Sequence, residues 1–200
     1  MSMALIFGTA LAVSIGGPFV EKNRQEMLPA FLFEQSTTLP AVTKGFGVVV
    51  VLLFIYSFWF TMLGFSVGGM RSKYRELAKK DGEKDCEDRY GLPNLYVEGN
   101  TKWAKAFNCT QRAHQQQLET LTQFYVCILL SALQFPVSAS VLTLMSLFSR
   151  YVWASAYTQS DGDPSKRYDH PLSKFAWSGL FGSYFLALAS GLNILGILPF

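Results

Sequence analysis

The sequence predicts an all-α integral membrane protein, a four-helix bundle with an extra apolar segment at its N-terminus. Three observations predict it. Half of the 200 residues are hydrophobic and only 16% are charged, against about 25% in soluble domains. Residues 45–70 carry no charge and none follows Lys174, whereas a bilayer core takes roughly 20 apolar residues to cross. The charges collect instead in two connectors, where water can solvate them. The chain divides into an N-terminal apolar and polar segment, 1–44, and a four-span membrane domain, 45–200.

In chain order, Met1–Val20 is uncharged and broken by Gly16-Gly17-Pro18. It lacks the basic start of a secretory signal, although Ala10-Leu11-Ala12 resembles a cleavage site. A weak signal, an interfacial helix and a fifth span all remain open. Gly45–Met70 is a plain membrane helix without proline. Arg71–Lys105 follows as a long connector with nine Lys/Arg and seven Asp/Glu. Ala106–Leu133 starts polar and ends as YVCILLSAL, so a hydropathy window scores it poorly; the placement of its polar residues still makes it the second span. Residues 134–137 form a short turn, and Val137–Ala156 is the third span, apolar except for Arg150. Residues 158–174 form a polar loop with Asp-Gly and Asp-Pro turn signals. Phe175–Phe200 is the fourth span, and its Gly, Ala and Ser permit close helix approach. Twelve of the 17 Lys/Arg lie in the first and third connectors, which share one side of a four-span arrangement. The positive-inside rule puts that side in the cytosol, with the segment before Gly45 and the C-terminus opposite.

Some functions are disfavoured at once. The net charge is +3, and no basic cluster is interleaved with aromatics as a nucleic-acid surface would be. Three cysteines without C-x-x-C spacing, and two distant histidines, predict neither a disulfide framework nor a metal site.

The second span carries the chemistry. Asn108, Gln111, Arg112, Gln115, Gln116, Glu119 and Gln123 recur at intervals of three and four, forming one face about 22 Å long. Arg112 and Glu119 stand two turns apart on it, with Gln116 between them. A solvated amphipathic helix or an interhelical hydrogen-bond seam would also produce this pattern. A charge at mid-bilayer costs on the order of 3 kcal/mol, however, so such residues face a bundle interior or a wet cavity. In the third span Arg150, Trp153 and Tyr157 share one face, a set that taken alone reads as interfacial anchoring. Pro164 and its neighbouring turn residues set Arg167 at the mouth of the bundle, although a Lys-Arg pair in a loop is most often a topology signal.

The run from Phe107 to Glu119 (FNCTQRAHQQQLE), the segment Arg150 to Tyr157, and Asp163-Pro164-Ser165-Lys166-Arg167 together resemble the membrane-associated proteins in eicosanoid and glutathione metabolism. Pro93 and Tyr96 also fit, and the similarity covers roughly residues 45–195. The resemblance implies a four-helix protomer in a homotrimer of the endoplasmic reticulum membrane, with glutathione as co-substrate between subunits near the cytosolic face and no metal. It implies that Arg112 and Glu119 hold a glutathione carboxylate and ammonium. Gln116 stands where the family has Asn, Trp153 and Thr120 replace tyrosines, and Tyr157 is retained. Arg71 and His114 match positions that reach the adjacent subunit's ligand. Arg167 matches the arginine that activates the thiol, behind a loop about two residues longer, and residues 76–88 are an insertion. Arg167 and Arg71 are therefore the expected catalytic residues. Arg112, His114, Gln116, Glu119, Arg150, Trp153 and Tyr157 are the expected glutathione-binding residues.

The expected activity is transfer of glutathione to a lipophilic electrophile, or reduction of a lipid hydroperoxide, by a microsomal-type transferase with peroxidase or leukotriene C synthase-like activity. The alternative is a non-catalytic lipid-binding member of the same family. A channel or proton relay is a third reading, resting on Arg, Glu and His within the spans.

Overall fold

The computed structural model describes residues 3–39 and 41–198. Met1, Ser2, Pro40, Pro199 and Phe200, which end or interrupt the expected N-terminal segment and fourth span, lie outside the described residues. Among the described residues the chain is helical, with one isolated bridge between Gln35 and Thr43. The helices are α1, Met3–Asn23; α2, Lys44–Lys80; the short α3, Cys86–Tyr90; α4, Lys102–Ala132; α5, Pro136–Thr158; and α6, Ser178–Ile194. By length and composition, α1, α2, α5 and the stretch Pro171–Ile194 suffice to cross a bilayer. The amphipathic α4 is not in that set, as its polar face leads one to expect.

Two expectations change. The first connector is shorter than predicted, because α2 continues helically through Arg71–Lys80. Those ten residues contain no Gly or Pro, and Lys79 pairs with Glu76 one turn earlier, so nothing ends the helix where its apolar run ends. Gly16-Gly17-Pro18 does not break the first segment either. A π turn at Ala12–Gly16 joins Met3–Leu11 to Gly17–Asn23. Pro18 has no N–H to bond one turn back, and the wider turn accommodates that missing donor.

The chain forms two compact units. The first comprises the described residues of 1–56, 120–149 and 174–200. Within it α1 runs parallel to α6: Thr9 Oγ1 donates to Ser178 Oγ at 3.0 Å, Ser14 Oγ to the Gly182 carbonyl at 2.8 Å, and Phe7 meets Phe181 at 4.8 Å. The carboxylate of Glu21, 2% exposed, accepts from the backbone N–H groups of Val137 and Ser138 and from Ser138 Oγ at 2.8–2.9 Å. Glu21 thus caps α5 from another helix, supplying acceptors to its orphan donors. Against α5, a Cβ on Gly179 would lie 2.7 Å from Ser146 Cβ. Only glycine permits that approach, and the predicted small-residue contact is present.

The second unit comprises residues 57–119 and 150–173. Its core joins Val67, Tyr74 and Ala78 of α2 to Cys86 and Tyr90 of α3 and to Ala104 and Phe107 of α4. Burial pushes the Tyr90 phenol up to about 12, so it stays neutral in that core. This unit carries every expected catalytic and glutathione-binding residue.

Candidate functional site

A cavity of about 510 Å³ opens on the polar face of α4, lined there by Lys105, Asn108, Cys109 and Arg112. Tyr157 at the end of α5, Gly162 and Pro164 supply another wall, and Tyr96, Gly99 and Asn100 a third. The 105, 108, 112 spacing puts three α4 residues on one face at 3.6 residues per turn.

Arg112 and Glu119 pair as the spacing predicts. The guanidinium is bidentate on the carboxylate, at 2.5 and 3.1 Å. Their side chains are 39% and 45% exposed, so the pair is worth about 0.2–1 kcal/mol. A ligand with its own carboxylate and ammonium can exchange with it at small cost. Beside them, Tyr96 donates to Gln115. Asn108 holds the Tyr96 segment in place: its Oδ1 accepts from Val97 N and its Nδ2 donates to Val97 O, both at 2.9 Å.

Arg167 sits in a 3-10 turn, Pro164–Tyr168, whose first N–H groups are capped by Asp163. The Asp163 carboxylate accepts from Ser165 N at 2.9 Å and Ser165 Oγ at 2.7 Å. Those bonds hold its pKa below the usual aspartate range. Arg167 donates to the Pro164 carbonyl, and its guanidinium lies 5.4 Å from the Tyr157 ring and 4.9 Å from that of Tyr168. Arg167 therefore stands behind two residues that line the cavity, Tyr157 and Pro164.

The other expected residues lie as follows. Trp153 meets Tyr157 edge-on at 5.1 Å and is buried. Arg150 is not an interfacial anchor: it is 2% exposed and donates to Gln117 Oε1 at 2.7 Å. Gln117 lies off the polar stripe, yet it gives Arg150 the acceptor that a buried guanidinium requires. Gln116 is buried. His114 stacks on Phe60 at 4.7 Å, and a Cβ on Gly64 would lie 3.1 Å from its Nε2. Arg71 is not among the walls of the 510 Å³ cavity. It lies 4.4 Å over the Phe107 ring, donates to the carbonyls of Tyr90 and Leu95, and lines a separate recess of about 360 Å³ with Arg75 and Leu92.

Two wall residues escaped the sequence reading. Lys105 ends the charged connector by composition, although it stands two turns before Arg112. Cys109 was read only as part of a motif, since no pattern marks a single cysteine. Among the described residues no cluster of His, Cys, Asp and Glu could hold a metal ion.

A model of the MAPEG family matches residues 47–189, more than half of the chain. No solved structure matches it.

Proposed function

The chain belongs to the MAPEG family, membrane proteins of glutathione and eicosanoid metabolism, and on that premise we propose that it is a glutathione-dependent transferase and peroxidase. The observation that carries the reading is the bidentate Arg112–Glu119 pair beside a cavity backed by Arg167. Arg112 takes a glutathione carboxylate through its planar fork, and Glu119 takes the ammonium. The thiol then lies toward Tyr157 and Arg167. A free thiol near pKa 8.5 is only a few per cent ionised at neutral pH, and the thiolate is the nucleophile. Lowering that pKa by about two units takes roughly 2.7 kcal/mol, which a guanidinium in a partly dry site can supply. Arg167 has that role, and Arg71 assists on the electrophile side. Gln116, His114, Arg150, Trp153 and Tyr157 complete the binding region.

In conjugation, the sulfur forms a bond to the electrophilic carbon and the leaving group departs, the thiol proton having passed to solvent. In reduction, the thiolate attacks the hydroperoxide oxygen, the O–O bond breaks to release an alcohol, and a second glutathione yields the disulfide and water. The lipophilic partner reaches the site through the bilayer.

The functional module is residues 45–200. It works as a homotrimer in the endoplasmic reticulum membrane, the site facing the cytosol, with the partly exposed Arg112 and Glu119 at a subunit boundary. A second reading, a non-catalytic lipid-binding member, draws on Thr120 and Trp153, which stand where catalytic relatives carry tyrosine.

Detergent-solubilised protein, assayed with glutathione against an aryl halide and a lipid hydroperoxide in parallel, separates the two. The expected result is glutathione-dependent turnover with an ultraviolet thiolate band. Arg167→Ala should lose the band while still binding glutathione, and Glu119→Gln should raise the glutathione KM. A wild type without either signal supports the lipid-binding reading. Unchanged turnover in Arg167→Ala removes that residue from the chemistry.

A further inference from the structure

We propose that Lys105 is a second anion anchor in this cavity, holding the glycyl carboxylate of glutathione and selecting tripeptide thiols over shorter ones. The inference rests on the glutathione reading and extends it to a residue outside the motif that suggested it.

Lys105 and Arg112 are seven residues apart on α4, and both line the 510 Å³ cavity. Seven residues turn the helix back to nearly the same face and advance it about 10.5 Å. A three-residue peptide in extended form spans about 10 Å. The two backbone positions thus stand about as far apart as the ends of an extended tripeptide. The paired Arg112 and Glu119 fit the end that carries both a carboxylate and an ammonium, so Lys105 is left for the opposite end, which carries a carboxylate alone.

The local structure keeps Lys105 available. Among the described residues no ion pair engages it, unlike Lys44, Lys79, Arg75, Arg89 and Arg112. Its stem is pressed by the loop that carries Arg167. Gly162, at a φ of +87°, sits so close that an added Cβ would lie 2.8 Å from Lys105 Cβ and 3.1 Å from Ala106 N. The loop therefore sets the lysine stem at the cavity wall. An ammonium suits the task because the glycyl carboxylate needs charge at one point and no particular plane.

The test compares glutathione with its glycyl ethyl ester, in which that carboxylate is neutral. Kd is measured by calorimetry, and kcat with an aryl halide. Lys105→Met is expected to weaken glutathione roughly tenfold, to leave the ester within about twofold, and to leave kcat unchanged. Lys105→Arg should restore glutathione binding. Equal losses for both ligands, or no loss for glutathione, overturn the proposal while wild-type binding keeps the functional reading intact. A wild type that binds neither ligand removes the functional reading and this anchor with it.

Discussion

The guanidinium of Arg167 is held from three directions: the Pro164 carbonyl accepts from it, and the rings of Tyr157 and Tyr168 flank it. None of these contacts is an ion pair, so its position depends on the turn that Asp163 caps. The Asp163 carboxyl is held below the ordinary aspartate range by its bonds to Ser165. A lowered folded-state value means that the cap is fully formed above the ordinary aspartate pKa, about 3.9, and is lost as pH falls through the lowered value. It is therefore intact wherever glutathione chemistry runs. Asp163→Ala should lower kcat roughly tenfold by misplacing Arg167, with glutathione Kd changed less than twofold; an unaltered kcat would detach the cap from the chemistry. At this scale Arg112 with Glu119 was legible, because helical periodicity alone makes them neighbours. Arg150 was not, because its acceptor Gln117 lies on another helix and off the stripe. Lys105 was hidden by an element boundary drawn at the end of the charged stretch.

Elements were legible wherever an apolar run or a turn signal bounds them. The third span, for instance, was expected at Val137–Ala156 and is found at Pro136–Thr158. The extension of α2 to Lys80 is not marked by hydropathy, because charge ends a helix's passage through lipid and not the helix itself. The continuity of the N-terminal helix through Gly16-Gly17-Pro18 was not legible for a different reason. Glycine and proline lower its local propensity, but its contacts with α6 and the cap that Glu21 places on α5 are tertiary, and no local pattern encodes them. Glu21→Ala would leave two backbone N–H groups at the start of α5 without their acceptors. The expected loss is about 1–3 kcal/mol of stability, read as a lower Tm in detergent, with Glu21→Gln losing less. An unchanged Tm for Glu21→Ala would mean that the cap contributes nothing.

At the scale of the whole molecule, the parallel run of α1 with α6 sets a constraint on topology. Were α1 to cross along with α2, α4, α5 and α6, its start would lie on the side of the connectors 81–101 and 159–177, which carry five of the 17 Lys/Arg, and opposite the 24–43 connector. With the native cysteines replaced by alanine, Met3→Cys should react with an impermeant maleimide from the cytosolic side and Thr37→Cys from the other. Both positions are exposed, and labelling of both from one side would rule out α1 as a crossing. Membrane residence, helical class and family were determined by sequence alone, since lipid solvation and helical periodicity act on residues close together in the chain. The α5 cap, the buried Arg150 and the close approach of Gly162 to the Lys105 stem were decided only by tertiary structure. Each joins residues at least 33 positions apart, and which of many polar groups meet at such range depends on packing that no local pattern encodes.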